Sequence, residues 1–385
     1  MKVKLKDIGT IITGNTPSKK EKSYWDSKDI CFVKPDIISE TGISLIEDSN
    51  EYISEAARSK ARIVSKDAIF ITCIGSIGKI GIACEGDYAF NQQINAIVPN
   101  DKVDSKYLAY ALLNSKSRLE AIANAPVVPI INKSQFGDFS INIEEDRSVQ
   151  LDIVLTLDTL SKIIKKRIEE LKILDDLIKA RFVEMFGTIH DNKYGFEIRT
   201  IQDVCEQIKD GTHQTPIYID DSIKGFKFLS SKDVTTGKID WTHIKYIPKS
   251  LHDELYSRIA PRKGDLLLAK NGTTGIAAIV DTDDIFDIYV SLALLRPVSI
   301  NSTYLWGAVN SKETKEQFDT SLKGVGVPNL HLGEIKKTKI IVPPLEKQEV
   351  FSAFVAQVDK SKAAVRRSLD ENQKLFDSLM QQYFG

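Results

Sequence analysis

Arg181-Phe182-Val183-Glu184-Met185-Phe186-Gly187 and Ser378-Leu379-Met380-Gln381-Gln382-Tyr383-Phe384-Gly385 close two long helical patterns in nearly the same wording. Superposing these ends sets an offset of about two hundred residues, far beyond the roughly 20–50 residues of a solenoid unit and the size of a domain. The match continues backwards through both halves. Leu5-Lys6-Asp7-Ile8 is echoed by Ile201-Gln202-Asp203-Val204, and Gly14-Asn15-Thr16-Pro17 by Gly211 to Pro216. Lys66 to Ile71 with Gly75 and Gly78 answers Lys263 to Leu268 with Gly272 and Gly275. Tyr107-Leu108 answers Tyr304-Leu305, and Pro129-Ile130-Ile131-Asn132 answers Pro328-Asn329-Leu330-His331. Apolar, Gly and Pro positions repeat, whereas the polar residues beside them differ. One scaffold carrying two different readout surfaces is the economical explanation.

Outward from the closing words lie two stretches free of Gly and Pro. Between Arg147 and Phe186, Ile153, Leu157, Leu160, Ile164, Leu171, Leu174, Ile178 and Met185 fall on alternating three- and four-residue steps, with Arg167 and Arg181 as polar interruptions. From about Glu346 to Tyr383 the same steps pick out Phe351, Val355, Val358, Val365, Leu369, Phe376, Leu379 and Tyr383, interrupted by Lys362 and Asn372. Each pattern predicts a helix of about 40 residues, ~60 Å long at ~1.5 Å per residue. A stripe that narrow needs a partner helix, and a whole globular half between the two helices favours an antiparallel coiled coil with pseudo-twofold symmetry. Asn372 is expected to fix register, as a single seam Asn can.

The remaining stretches read as mixed α/β. Ala68-Ile69-Phe70-Ile71-Thr72, Asn95-Ala96-Ile97-Val98, Asp265-Leu266-Leu267-Leu268-Ala269 and Leu292-Ala293-Leu294-Leu295 predict buried strands; Ser105 to Ser115 and Ser302 to Asn310 predict short amphipathic helices. Connections around Thr13 to Ser27 and Asp210 to Lys224 are long and polar, where binding residues usually lie. The fold class is therefore α+β: two tandem mixed α/β units, 1–146 and 188–345, each followed by a helical spacer, 147–187 and 346–385.

Composition sets bounds. A chain of 385 residues with 42% hydrophobic and 27% charged residues is ordinary soluble protein. Cys31, Cys73, Cys84 and Cys205 form no CxxC pair and fit reduced thiols. The start, Met1-Lys2-Val3-Lys4-Leu5-Lys6, lacks the apolar core of a signal peptide, and no run reaches membrane-spanning length, so a cytoplasmic protein without a membrane is expected. The net charge of −1 lacks the basic surplus usual for DNA-binding domains. Phosphates need only local clusters, such as Lys19-Lys20-Glu21-Lys22, Arg58 to Arg62 and Lys336-Lys337-Thr338-Lys339.

Catalytic motifs fail one after another. Cys73-Ile74-Gly75-Ser76-Ile77-Gly78-Lys79-Ile80 lacks the first Gly and the closing Ser/Thr of a phosphate loop, and its copy, Asn271-Gly272-Thr273-Thr274-Gly275-Ile276, has no Lys. A glycine turn after a buried strand is the better reading. The five histidines, His190, His213, His243, His252 and His331, include no HxxxH pair and all lie in the second half; solvated or groove-facing rings are expected. Lys34-Pro35-Asp36 matches the start of a nuclease motif, but its copy, Ser231-Lys232-Asp233, loses the Pro. No methyltransferase loop or glycine-rich cofactor loop is present.

A variable globular unit, then Ile341-Val342-Pro343-Pro344-Leu345-Glu346-Lys347-Gln348, then a long helix closing on Arg-Phe-Val-Glu-Met-Phe-Gly, resembles the specificity subunit of type I restriction-modification enzymes. The resemblance covers both copies. The first departs from it at Ile143-Glu144-Glu145-Asp146-Arg147-Ser148-Val149-Gln150, which lacks Pro-Pro. The resemblance implies that each globular unit is a target recognition domain reading one half of a bipartite, asymmetric site in double-stranded DNA, and that the helices set the spacer. It implies two modification (methyltransferase) subunits docked along the helices, bringing S-adenosylmethionine for adenine methylation. Restriction (translocase/nuclease) subunits would add ATP and Mg, and the chain itself would be non-catalytic and hold no metal.

Base edges in the major groove are read by Arg, Lys, Asn, Gln and Ser/Thr, while phosphate contacts position the protein. On the first unit the expected contacts are Asn15, Thr16, Lys19, Lys20, Lys34, Ser76, Lys79, Asn91, Gln92, Gln93, Asn132 and Lys133. On the second they are Thr212, His213, Gln214, Thr215, Ser230, Ser231, Lys232, Lys270, Asn271, Thr273, Thr274, Ser291 and His331. The lysines would mostly hold phosphates, and Asn, Gln and His would read bases. Two other classes remain open. A stand-alone nuclease or methyltransferase would reveal itself by activity of the single chain. A coiled-coil adaptor for proteins would show no salt-dependent DNA binding.

Overall fold

The structure is a computed structural model and describes residues 1–123, 128–220, 224–322 and 329–385. The chain forms two compact units: Met1–Ile168 with Arg367–Gly385, and Glu169–Arg366.

In the first unit the larger sheet runs, in spatial order, Gly9–Thr13, Ile94–Pro99, Ile69–Thr72, Ile80–Ala83 and Ile43–Ile46, antiparallel except for the last pair. A smaller sheet orders Tyr52–Ile53, Ile30–Val33, Asp87–Phe90 and Ile63–Ser65, with its central pair parallel. The second unit repeats the plan. Cys205–Asp210, Leu292–Pro297, Leu266–Ala269 and Ala277–Ile279 form the larger sheet; Lys245–Ile247, Phe226–Leu229 and Phe286–Ile288 form the smaller, again with a parallel pair.

The predicted strands are continuous apolar runs because both faces of each are buried. Ile69 and Ile71 face a core shared with helices, while Phe70 packs with Tyr88 and Phe90 on the other side. Leu266 and Leu268, against Leu267 and Ala269, divide in the same way. The short helices α1 (Ser105–Asn114) and α3 (Ser302–Val309) start at matching caps: Asp104 accepts from the backbone of Lys106 and Tyr107, and Asn301 from Thr303 and Tyr304.

The long helices are α2 (Arg147–Phe186) and α4 (Leu345–Phe384). Gly187 ends the first at φ +73°, donating to the Val183 carbonyl at 2.8 Å. At its start, where the second copy has Pro343-Pro344, the Asp146 carboxylate accepts from the Ser148 N–H at 2.8 Å and caps the helix instead. Each unit contains a piece of both helices. In the first, Ile153 and Leu157 share a core with Met380 and Phe384; in the second, Ile178, Phe182 and Phe186 share one with Phe351 and Val355. Early residues of one helix meet late residues of the other, so the pairing within each unit is antiparallel. Every seam position named above is buried or half-buried, the polar interruptions included. Asn372 donates to Ser368 of its own helix at 3.4 Å. Lys362 forms a cross-helix ion pair with Asp175, with the Lys362 side chain only 5% exposed.

Two glutamines lock the helix starts to the short helices. Gln150 Oε1 accepts from the Asp104 N–H at 2.8 Å, and its Nε2 donates to the carbonyls of Glu144 at 2.7 Å and Lys102 at 3.1 Å. Gln348 Oε1 accepts from the Asn301 N–H at 2.8 Å, and its Nε2 donates to the Pro343 carbonyl at 2.7 Å. Both side chains are buried. Close by, the Tyr107 ring lies 5.1 Å from Phe384, and Tyr304 lies 4.8 Å from Phe186.

Candidate nucleic-acid interface

In the first unit, Thr13, Val33, Thr72 and Phe90 end four strands at one edge of the sheets. The loops that follow are laced together by backbone hydrogen bonds. Gly14 and Asn15 donate to Ile94 and Phe90, Asn91 to Val33, Cys73 to Gln93, and Ile131 to Cys73, all within 2.7–3.2 Å. The second unit builds the same edge: Gly211 donates to Leu292, Thr212 to Ile288, Tyr289 to Leu229, Lys270 to Ser291 and Leu330 to Lys270, within 2.8–3.3 Å. Each unit thus gathers five separate chain segments, and the expected contact residues of that unit lie on or beside them. Pro328, named in the repeat, and Asp221–Ile223 in the long second loop lie outside the described residues.

Glycine makes this edge possible at two kinds of position. A Cβ on Gly14 would stand 2.2 Å from the Asn91 carbonyl oxygen, and one on Gly211 2.0 Å from that of Ile288. Only a bare α-carbon lets the first loop cross so close to its neighbour. Gly75 and Gly78 have φ of +79°, and Gly272 and Gly275 have +76° and +83°. They form the glycine turn expected after a buried strand. Cys73, which opens it, is buried, and burial pushes its thiol up to about 11. Such a thiol stays protonated at neutral pH and is no nucleophile.

The expected residues divide into two groups. Thr16, Lys19, Lys20, Ser76, Gln92, Asn132, Lys133, His213, Gln214, Thr215, Lys232, Thr273 and His331 are exposed; Gln93, Ser231 and Asn271 are half-buried. Thr16 donates to Gln92 Oε1 at 2.8 Å, which ties the Gln92 amide to the first loop. Asn132 caps the helix Lys133–Asp138 in a reciprocal box with Gln135, and His331 stands before the helix Leu332–Lys337.

The second group is spent inside the fold. Asn91 is buried and bonded to Gln93 at 2.8 Å; Thr212, Thr274 and Ser291 are buried, with Ser291 Oγ accepting from the Ser231 N–H at 2.9 Å. Ser230 bonds Asp233 at 2.9 Å. Asn15 donates from Nδ2 to the Lys60 carbonyl at 2.7 Å and accepts at Oδ1 from the Arg62 N–H at 2.8 Å. Lys34 is ion-paired with Glu51 and holds that carboxyl below its ordinary value; Lys79 reaches Glu40 at 2.7 Å. Lys270 departs furthest from a phosphate holder: its side chain is 6% exposed and pairs with Asp210 at 2.8 Å, because it faces inward beneath the loop.

Two features escaped the sequence. Arg258 closes the helix Lys249–Arg258 and donates from Nη2 to the carbonyls of Asp210 at 3.0 Å and Gly211 at 2.6 Å. His252 of that helix is buried, stacked on Phe226 at 3.7 Å and bonded to Asp287 at 2.7 Å, so it is neither solvated nor groove-facing. No local signal marks Arg258. The glutamine locks could have been found, since Gln150 and Gln348 stand at matching places in the repeat. Among the described residues, no cluster of three or more His, Cys, Asp or Glu could hold a metal ion, and no helix is long and apolar enough to cross a membrane. The four cysteines are free thiols.

Comparison with known proteins adds the last observation. The profile of the type I restriction modification DNA specificity domain matches residues 1–173 and again 194–371. The MjaIX specificity subunit of a type I restriction enzyme, from Methanocaldococcus jannaschii, is 24% identical over 98% of this chain and 90% of its own length. The MjaVIII specificity subunit of the same organism is 23% identical over 86% of this chain and 83% of its own. Among solved structures, the S subunit of a type I restriction-modification system from M. genitalium superposes with a TM-score of 0.57 at 15% identity, covering 100% of this chain and 96% of that one. This likeness shows the shared fold.

Proposed function

The chain belongs to the family of type I restriction-modification DNA specificity domains, and from that premise we propose that it is the specificity subunit of such a system, reading a bipartite DNA site. The observation that carries the proposal is the doubled edge: two sets of laced loops on one scaffold, with different polar residues at equivalent places. Residues 1–146 and 188–345 act as target recognition domains, one for each half-site. The paired helices set the spacer and carry two modification subunits, which supply S-adenosylmethionine and methylate adenine in each half. Restriction subunits supply ATP-driven translocation and Mg-dependent cleavage in the cytoplasm. This chain contributes recognition and no chemistry of its own.

The exposed and half-buried residues do the reading. Gln92, Gln93, Gln214, Asn271 and His331 present hydrogen-bonding groups suited to base edges, and Lys19, Lys20, Lys133 and Lys232 suit phosphates. A net charge of −1 gives weak non-specific attraction to DNA, so tight binding depends on the modification subunits. The test maps methylated adenines on DNA treated with the chain and its modification subunits. Gln92→Ala should relax base choice in one half-site only and Gln214→Ala in the other, each by roughly tenfold, since a good base contact is worth ~1–3 kcal/mol. Equal disturbance of both halves by either variant would remove the modular reading.

A further inference from the structure

The first loop of each edge is held by an arm that follows the smaller sheet, and the two units make that hold with different chemistry. In the first unit the arm is the tight helical turn Glu55–Lys60 and the residues after it. Its Ala57 is fully buried against Ile30, Phe32 and Ile53, and Arg58 pins it to Asp87 at 2.8 Å. The loop reaches out to the arm: Asn15 bonds the Lys60 carbonyl and the Arg62 N–H. In the second unit the arm is the helix Lys249–Arg258, anchored by the His252–Asp287 bond and the stack of His252 on Phe226. Here the arm reaches out to the loop, through the Arg258 guanidinium on the Asp210 and Gly211 carbonyls.

We propose that Asn15 and Arg258 are positioning residues for sequence readout, each setting the place of its unit's first recognition loop without touching a base. The proposal rests on the specificity-subunit reading. Gly14 and Gly211 have no side chain to fix them; each passes within contact of a neighbouring backbone and is held there by main-chain hydrogen bonds, while the arm holds the loop from the other side. The residues placed by that hold are Thr16 in the first unit and His213 and Gln214 in the second. Asp210 links the clamp to its own side chains: its carbonyl accepts from Arg258, while its carboxylate meets Lys270 at 2.8 Å and His213 at 3.4 Å. Charge-assisted bonds to main-chain oxygens resist displacement more strongly than neutral ones. Base discrimination needs donor and acceptor within a few tenths of an ångström, so a loosened loop loses selectivity before it loses binding.

The experiment uses the full chain with its modification subunits and sequences the methylated sites. Arg258→Met keeps an unbranched apolar stem and removes the guanidinium donors; Arg258→Lys returns a cationic donor on a stem one atom shorter than that of Arg. The expected result is about tenfold weaker base discrimination in the second half-site for Arg258→Met, an unchanged first half-site, and recovery in Arg258→Lys. Asn15→Leu should do the same to the first half-site alone. The unfolding midpoint of each variant separates a shifted loop from a melted unit: discrimination lost with the midpoint kept supports positioning. Unaltered sites in Arg258→Met, loss confined to variants whose midpoint collapses, or equal loss without rescue in Arg258→Lys would overturn the clamp while leaving the specificity reading intact. A wild-type complex that methylates no bipartite site would instead overturn the reading on which the clamp rests.

Discussion

Asp287 sits in an environment at odds with its chemistry. It is buried in the strand Phe286–Ile288, its Oδ1 has no hydrogen-bond partner among the described residues, and burial raises its carboxyl from 3.8 to about 6 against the pull of His252. The fold therefore binds this proton more tightly than the unfolded chain does. The stability Asp287 contributes is greatest below 3.8, falls as pH rises through the interval, and levels off above about 6. Asp287→Asn has no proton to lose there. Its thermal midpoint should gain on wild type as pH goes from about 4 to about 7, and parallel midpoints across that range would show that Asp287 does not titrate in this way. The same residue scale is where the sequence was least legible. Lys270 reads as a loop cation until Asp210, distant in the chain, is brought beneath it. Arg258 reads as an ordinary helix-end cation until the carbonyls of Asp210 and Gly211 arrive at its Nη2. Polar roles of this kind are fixed by proximity in the fold, which composition and spacing do not encode.

Elements were far more legible, because their signals are periodic and local. The four buried strands could be read since both faces of each meet a core, which leaves no polar alternation to confuse the run. The helices could be read since a seam on alternating three- and four-residue steps has no other stable use at that length. What joins the elements was hidden in single residues. Gln150 and Gln348 each bridge the start of a long helix to the cap of a short one, so one side chain sets the angle at which α2 leaves α1, and α4 leaves α3. Gln348→Leu keeps the volume but strands the Asn301 N–H and the Pro343 carbonyl. An unpaired buried polar group costs ~1–3 kcal/mol, which lowers the midpoint of a unit this size by about 2–4 °C per kcal/mol. Gln150→Leu should cost as much or more, since it strands the carbonyls of both Lys102 and Glu144. Gln373→Leu, on an exposed face of α4, is the control and should shift the midpoint little. Equal midpoints for Gln348→Leu and the control would mean that the lock contributes nothing.

For the molecule as a whole, duplication makes each half depend on helix segments from the other. Residues 169–186 belong to the second unit, where Ile178, Phe182 and Phe186 are buried with Phe351 and Val355. A fragment of residues 1–187 therefore carries a helix end whose partners are missing, and two such fragments could satisfy each other only by seating that end on the first unit's own surface. The repeat says what it would meet there. Phe182 lies over Gly307 of α3, so close that a Cβ on Gly307 would stand 2.8 Å from its ring. The equivalent residue of α1 is Tyr110, held in place by its hydroxyl on Asp158 at 2.9 Å, and the helix residue that packs in the first unit is Met380. Self-pairing thus drives Phe182 into Tyr110, whereas Met, unbranched and flexible, fits beside it. The fragment with Phe182→Met should dimerise more tightly than the unaltered fragment, by roughly tenfold or more if the clash costs ~1–3 kcal/mol. With modification subunits added, its twofold symmetry should direct methylation to an interrupted palindrome of the first half-site. Sedimentation of both fragments decides the packing argument: dimers of equal strength would show that Tyr110 yields, and that the two helix ends are interchangeable after all.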